Sequence, residues 1–196
     1  MRPLVMGVTG ASGAAYARRL AQCLVDQEVE LHLVVSPPAQ LIMTDELGLN
    51  EFLLEAFLGR PAASITLHSY HDVGAVIASG SFLTAGMVIC PCSSNSLGAI
   101  ANGLGNNLIT RAATVTLKEA RRLVLVPRET PLHLGHLRLL VRVAEVGAVV
   151  MPPMPAFYHR PETVGEVVDQ TVNRIVDLFG IELDEDLVPR WSGPPA

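Results

Sequence analysis

A parallel β-sheet wound by helices on both faces, within one domain, is the α/β fold this sequence predicts. Three observations carry it. Short apolar runs alternate with amphipathic stretches along the whole of the 196 residues. The first run reaches Val8, breaks into Thr9-Gly10-Ala11-Ser12-Gly13, and is followed by an amphipathic stretch from Ala14 to Val25, the pattern of strand, tight turn and helix. Hydrophobic residues make up 49% of the chain and charged residues 17%, with a mean hydropathy of +0.38. That is apolar for a lone domain, so both faces of the sheet are expected to be covered and part of the outer surface to be buried between subunits.

The elements follow in order. Residues 30–35 read as a second buried strand ending at Ser36-Pro37-Pro38, and residues 39–47 as a short helix carrying Asp45 and Glu46. Residues 50–60 suit another helix and 64–69 a short strand, followed by a Gly- and Ser-containing loop from His71 to Leu83. Residues 86–90 form an apolar strand ended by Pro91-Cys92-Ser93-Ser94, with helices to about Ala101 and over 107–120. Strands at 122–126 and 148–151 and helices at 133–146 and 163–179 complete the domain, 1–190, and Trp191 to Ala196 read as a loose tail.

Net charge is −5 with no basic run, which argues against nucleic acid as a partner. No apolar stretch is long enough to span a bilayer and the start lacks the features of a signal peptide, so a cytoplasmic location is expected. The three cysteines, Cys23, Cys90 and Cys92, do not make a disulfide framework. Cys90 and Cys92 flank Pro91 and, in an extended segment, are expected to point the same way; without a second pair or a histidine cluster no metal site is read. His133 and His136, three apart on a helix, are read as capping and packing residues.

Ligands of such sheets bind beyond the carboxyl ends of the strands. Here those ends are Thr9 to Ser12, Ser36, Ser93 to Ser96, Pro127 to Glu129 and Met151 to Tyr158. Unpaired N–H groups at a helix N-terminus favour anions, so the turn at 9–13 reads as a phosphate seat, with Gly10 and Gly13 allowing close approach and Thr9 and Ser12 adding hydroxyls. A dinucleotide reader places an acid after the second strand, where this chain has Ser36. Tyr16, Tyr70 and Tyr158 are followed at the fourth position by Leu20, Gly74 and Glu162, so none forms a Tyr-x-x-x-Lys pair. A mononucleotide fits better.

GVTGASGA at the start, SGS at 79–81, PCS at 91–93, NNLITRAATVTLKE at 106–119, PRETPLHLGHL at 127–137 and MPPMPAFYHRP at 151–161 together resemble the flavin prenyltransferases of the UbiX type. The resemblance runs from about residue 2 to Trp191. It implies a flavodoxin-like Rossmann fold that binds FMN and joins a dimethylallyl group from dimethylallyl phosphate to N5 and C6 of reduced FMN. The prenylated FMN then serves a UbiD-type decarboxylase. It implies no metal, and a homo-oligomer, commonly a dodecamer. Gly10, Ala11 and Ser12 match the first FMN loop, with Thr9 beside them, and Ser36 matches the serine after the second strand. Ser93, Ser94, Asn95 and Ser96 match the flavin-contacting loop, and Arg111 the flavin-binding arginine. Lys118, Arg128, Glu129, Tyr158 and Arg174 match positions around the prenyl phosphate, with Ser79 and Gly80 counted on the substrate side. Glu46 matches an acidic position supplied by a neighbouring subunit.

In that chemistry Lys118, Arg128 and Arg174 supply positive charge to the leaving phosphate, Tyr158 a hydroxyl donor, and Glu129 the proton transfers of ring closure, with Ser12 and Glu46 also counted in the catalytic set. By themselves Lys118-Glu119 read as an exposed helix end and Arg128-Glu129 as a surface ion pair. Three departures stand out: Ser36-Pro37-Pro38, Ala120-Arg121-Arg122, and Val73 where some members place an aromatic residue. The alternatives weighed are an FMN-dependent cysteine decarboxylase of the phosphopantothenoylcysteine type, sharing the loop at 91–96 but needing a histidine where this chain has Ile77, and a non-catalytic FMN carrier.

Overall fold

The computed structural model describes residues 2–61, 63–191 and 193. Six parallel strands form one sheet in the order β3-β2-β1-β4-β5-β6. They are β1 (Leu4–Val8), β2 (Leu31–Val35), β3 (Ile65–His68), β4 (Gly86–Cys92), β5 (Arg122–Pro127) and β6 (Val149–Val150). The helices are α1 (Ala14–Asp26), α2 (Pro37–Leu47), α3 (Leu54–Leu58), α4 (Ser94–Ala101), α5 (Leu108–Lys118), α6 (Leu134–Glu145) and α7 (Val164–Leu178). Short 3₁₀ turns lie at Val76–Ala78 and Phe157–His159. Every strand predicted from the apolar runs is present, and β1, β2 and β4, buried along their whole length, show no polar alternation.

Odd and even positions of each strand feed two cores. Leu4, Met6 and Val8 of β1 join Leu31 and Leu33 of β2 beneath α1, α3 and α7, while Val5, Met87, Ile89 and Leu125 face α4 and α5. Each fully buried aliphatic side chain contributes about 1.5–3 kcal/mol relative to exposure. The helices start where the sequence offers caps. The side chains of Ser36, Ser93, Asn107 and Thr163 each accept a hydrogen bond from a backbone N–H in the first turn of the helix that follows. His133 caps α6 in the same way through Nδ1, and its ring stacks on His136 with centroids 3.7 Å apart.

One expectation about the core is corrected. Cys90 and Cys92 do not point the same way: Cys90 lies in the core under α1 and Cys92 in the core under α4. The strand pairing shifts register between Ile89 and Cys92, at the cis Cys90–Pro91 peptide, and the slip exchanges faces. Both thiols are buried, which pushes them up, Cys92 to about 12.

The tail assignment falls partly outside the described residues, at 192 and 194–196. Of the tail, Trp191 meets Tyr158 edge-on at 5.7 Å, and Arg190 just before it pairs with Asp177 and Asp186. Among the described residues no helix is long and apolar enough to cross a membrane. Large apolar side chains nevertheless reach the surface, among them Leu134, Leu137 and Val141 on one side of α6 at 60%, 46% and 57% exposure. This is the outer apolar surface anticipated from composition.

Candidate active site

The strand order reverses between β1 and β4, so a crevice opens beyond their carboxyl ends. The turn after β1 lines it on one side and the segment Pro91–Ser96 on the other. Thr9 fastens the two. Its N–H and hydroxyl both donate to the Pro91 carbonyl, at 3.2 and 2.9 Å, and its hydroxyl oxygen accepts from Ser93 N–H at 2.7 Å. Thr9 is buried at 2% exposure with its hydroxyl committed, so it holds the crevice together and does not offer the free donor expected from sequence. Gly10 lies against α2, where a β-carbon would come within 2.5 Å of Pro38 Cβ. The Ser-Pro-Pro start of α2 is thus matched by a residue without a side chain in the opposite turn.

Glu46 departs most from expectation. It reaches from α2 of its own chain to the start of α1, where its carboxylate accepts from Gly13 N–H at 2.9 Å and Ala14 N–H at 2.8 Å. The Gly13 and Ala14 donors read as a phosphate seat are taken here by a carboxylate of the same chain. Burial pushes its pKa up, but the Ser12 hydroxyl, the two N–H groups and the Arg128 charge outweigh burial and hold it below the usual carboxylate range. Gly13 stands at φ 120, a conformation that favours glycine, and its lack of a side chain leaves the Tyr16 ring room beside it.

Arg128 and Glu129 follow β5 into the same crevice. Arg128 N–H donates to the Cys92 carbonyl at 3.3 Å, fixing the segment to β4. Glu129 Oε2 accepts from the Ser94 hydroxyl at 3.1 Å and Oε1 from Thr130 N–H at 3.2 Å. Ser93 accepts from Ser96 N–H while its hydroxyl donates to Ser96 Oγ, so both serve α4, and Asn95 is exposed. The crevice thus combines the N-terminus of α4, the half-buried Ser12 and Ser94 hydroxyls, the exposed Asn95 amide, an arginine and two carboxylates. That donor set fits FMN, whose phosphate needs N–H and hydroxyl donors and whose flavin ring needs both donors and acceptors.

The other predicted residues make contacts of their own. Arg111, in the first turn of α5, donates from Nε to the Ala78 carbonyl at 3.1 Å and tethers the segment that carries Ser79 and Gly80. Lys118 ends α5, an 11-residue helix about 16 Å long that runs back toward the amino ends of the strands. It pairs with Glu119 beside Gly80, distant from Glu129. Tyr158 and Arg174 share a third place, a cavity of 420 Å³ lined also by Asp177, Arg190 and Trp191. Arg174 pairs with Asp177 at 3.0 Å and is exposed. A groove of 780 Å³ along α6, lined by Leu134, Leu137 and Val141, is larger than this cavity but holds none of the predicted residues. Val73 is 51% exposed. Ile77 is buried in its 3₁₀ turn, where the cysteine decarboxylases need a histidine. Arg121, read only as part of a departure, and Trp191, read only as tail, both make contacts beside the candidates Lys118 and Tyr158. A tight arginine anchor beside Lys118 leaves no periodic signal, and a Trp in a proline-rich end reads as a tail.

Comparison with known proteins agrees with this geometry. The Flavoprotein family model matches residues 1–178. Flavin prenyltransferase UbiX of Escherichia coli (strain K12) is 50% identical over 194 residues, which cover 98% of this chain and 100% of that one. The crystal structure of AnUbiX in complex with FMN and dimethylallyl pyrophosphate superposes with a TM-score of 0.88 at 39% identity, covering 99% of each chain. A dodecameric FMN-dependent UbiX-like decarboxylase from Escherichia coli O157:H7 superposes with a TM-score of 0.87 at 41% identity, covering 97% of this chain and 100% of that one. The chain belongs to the UbiX family of flavin prenyltransferases.

Proposed function

We propose that this chain transfers the dimethylallyl group of dimethylallyl phosphate to N5 and C6 of reduced FMN, and that each site is completed by more than one subunit. The observation that carries the second part is the scatter of the candidates. Arg128 and Glu129 stand at the crevice, Lys118 at the far end of α5, and Tyr158 with Arg174 on the flank of α7. A phosphate leaving as an anion needs several cations around it, and no single chain gathers them. A dodecameric relative and the exposed apolar surface of α6 support assembly as the means.

Reduced FMN, when bound, supplies the nucleophilic nitrogen and ring carbon. The chain's residues do the rest. Ser36, Ser93 and the turn at 9–13 border the seat of the flavin and its phosphate. Arg128, and in the assembly Lys118, Arg174 and the Tyr158 hydroxyl, neutralise the departing phosphate, which makes a metal unnecessary. Glu129, oriented by Ser94, moves the protons that closure of the fourth ring requires. In this reading the enzyme works in the cytoplasm and passes prenylated FMN to a UbiD-type decarboxylase.

Subunit mixing tests it. Lys118→Ala and Glu129→Gln enzymes, each impaired alone, are dissociated and reassembled together. A shared site regains turnover in the mixture, because some sites receive both native side chains. A site built from one chain gives no recovery.

A further inference from the structure

We propose that Glu119, locked by Arg121 and seated over Gly80, is a positioning residue for Lys118. The inference rests on the reading of Lys118 as a ligand of the prenyl phosphate. Adjacent residues on a helix do not face one another. Here they do, because α5 stops at Lys118: Glu119 is its C-cap and Ala120 takes φ 51, which turns the chain back on itself. The Glu119 carboxylate then meets the Lys118 ammonium through Oε1 and the Arg121 guanidinium at 4.0 Å through Oε2.

Arg121 is the fixed point. Its side chain is only 12% exposed, and it donates to the Phe82 carbonyl at 2.7 Å and to the Gly80 carbonyl at 2.5 Å. The segment from Gly80 to Phe82 is therefore pinned to the end of α5. Gly80 completes the arrangement. A β-carbon there would lie 2.1 Å from Glu119 Oε1 and 2.8 Å from Lys118 Nζ, so the pair occupies the space a side chain would fill. Lys118 is otherwise a long, half-exposed cation with many accessible rotamers. The carboxylate and the missing side chain together give its ammonium one place.

Charge and position predict opposite signs. Glu119→Gln removes a negative charge beside Lys118, so electrostatics alone predicts tighter binding of a phosphate. Positioning predicts weaker binding, by about tenfold in the KM for dimethylallyl phosphate, the size of one charge-assisted hydrogen bond. Gly80→Ala gives the same result with no change of charge. It displaces only the ends of two flexible side chains, and its backbone conformation suits alanine.

The experiment measures steady-state KM and kcat for dimethylallyl phosphate, and the Kd for FMN, in the assembled enzyme. Glu119→Gln and Gly80→Ala are each made alone and in a Lys118→Ala background. Both single variants are expected to raise the donor KM about tenfold with FMN affinity held within about twofold, and neither to add anything once Lys118 is gone. A lowered or unchanged KM in Glu119→Gln, or an equal rise with and without Lys118, overturns the positioning role. A wild-type KM in Lys118→Ala alone overturns the role of Lys118 itself and removes the proposal with it, which separates the two failures.

Discussion

Glu46→Gln tests the internal carboxylate at the start of α1. The substitution keeps the size of the side chain and removes the charge that Gly13 and Ala14 N–H address at 2.9 and 2.8 Å. Charge-assisted hydrogen bonds are worth about 1.5–3 kcal/mol each, but Glu46 is exposed, and exposed charge interactions are discounted to roughly 0–1 kcal/mol. An expected loss of about 1 kcal/mol sits within the range for helix N-caps and corresponds to a Tm decrease of about 2–4 °C in a chain of this size. The pH dependence follows from the sign of the shift. The folded pKa lies below the ordinary value of 4.5, so the stabilisation is fully present above pH 4.5 and is lost as pH falls through the folded pKa. Thermal unfolding of both proteins at one fixed concentration, across pH 7 to 3, should show two melting curves that separate at neutral pH and converge in acid. Coincident curves at pH 7, or a gap that persists unchanged into acid, would refute the assignment of Glu46 as an ionised cap.

Three further outcomes are expected. Ser12→Tyr places a ring in the crevice beside Glu46 and should abolish FMN binding, measured by fluorescence titration, with the circular dichroism spectrum unchanged; retained affinity would make the turn purely structural. Glu129→Gln should leave formation of the first carbon–nitrogen bond near its normal rate and slow closure of the fourth ring by about 10²–10⁴-fold, followed by absorbance in single turnover; closure at the normal rate reduces Glu129 to a positioning residue. Leu137→Glu on the exposed side of α6 should shift light scattering toward smaller species with loss of turnover, whereas an active monomer would contradict the shared site.

The fold was legible because buried parallel strands are written as apolar runs, and β1, β2, β4 and β5 were each found within two residues of their ends. The crevice was legible for the same reason, since it lies where those runs stop. Side-chain commitments were not. Nothing local to Thr9 says that its hydroxyl is spent on Pro91 and Ser93, contacts more than eighty residues away in the chain. The faces of Cys90 and Cys92 depend on a register slip that an alternating pattern cannot express. Glu46 was matched to an acidic position supplied by a neighbouring subunit, and its contact with Gly13 and Ala14 of its own chain could not be read, because residue spacing carries no information on whether a helix folds back onto its own sheet. Lys118 shows the converse: a motif can name a residue for a site that its own chain does not bring near Glu129.

The flavin itself reports whether the chain is a prenyltransferase. The enzyme is incubated without oxygen with reduced FMN and either dimethylallyl phosphate or dimethylallyl pyrophosphate, and the flavin is recovered for mass and absorbance. A flavin heavier by one dimethylallyl unit, with the altered spectrum of a fourth ring, is expected from the phosphate donor. Recovery of unchanged FMN from both incubations would contradict it and leave a flavin carrier in its place.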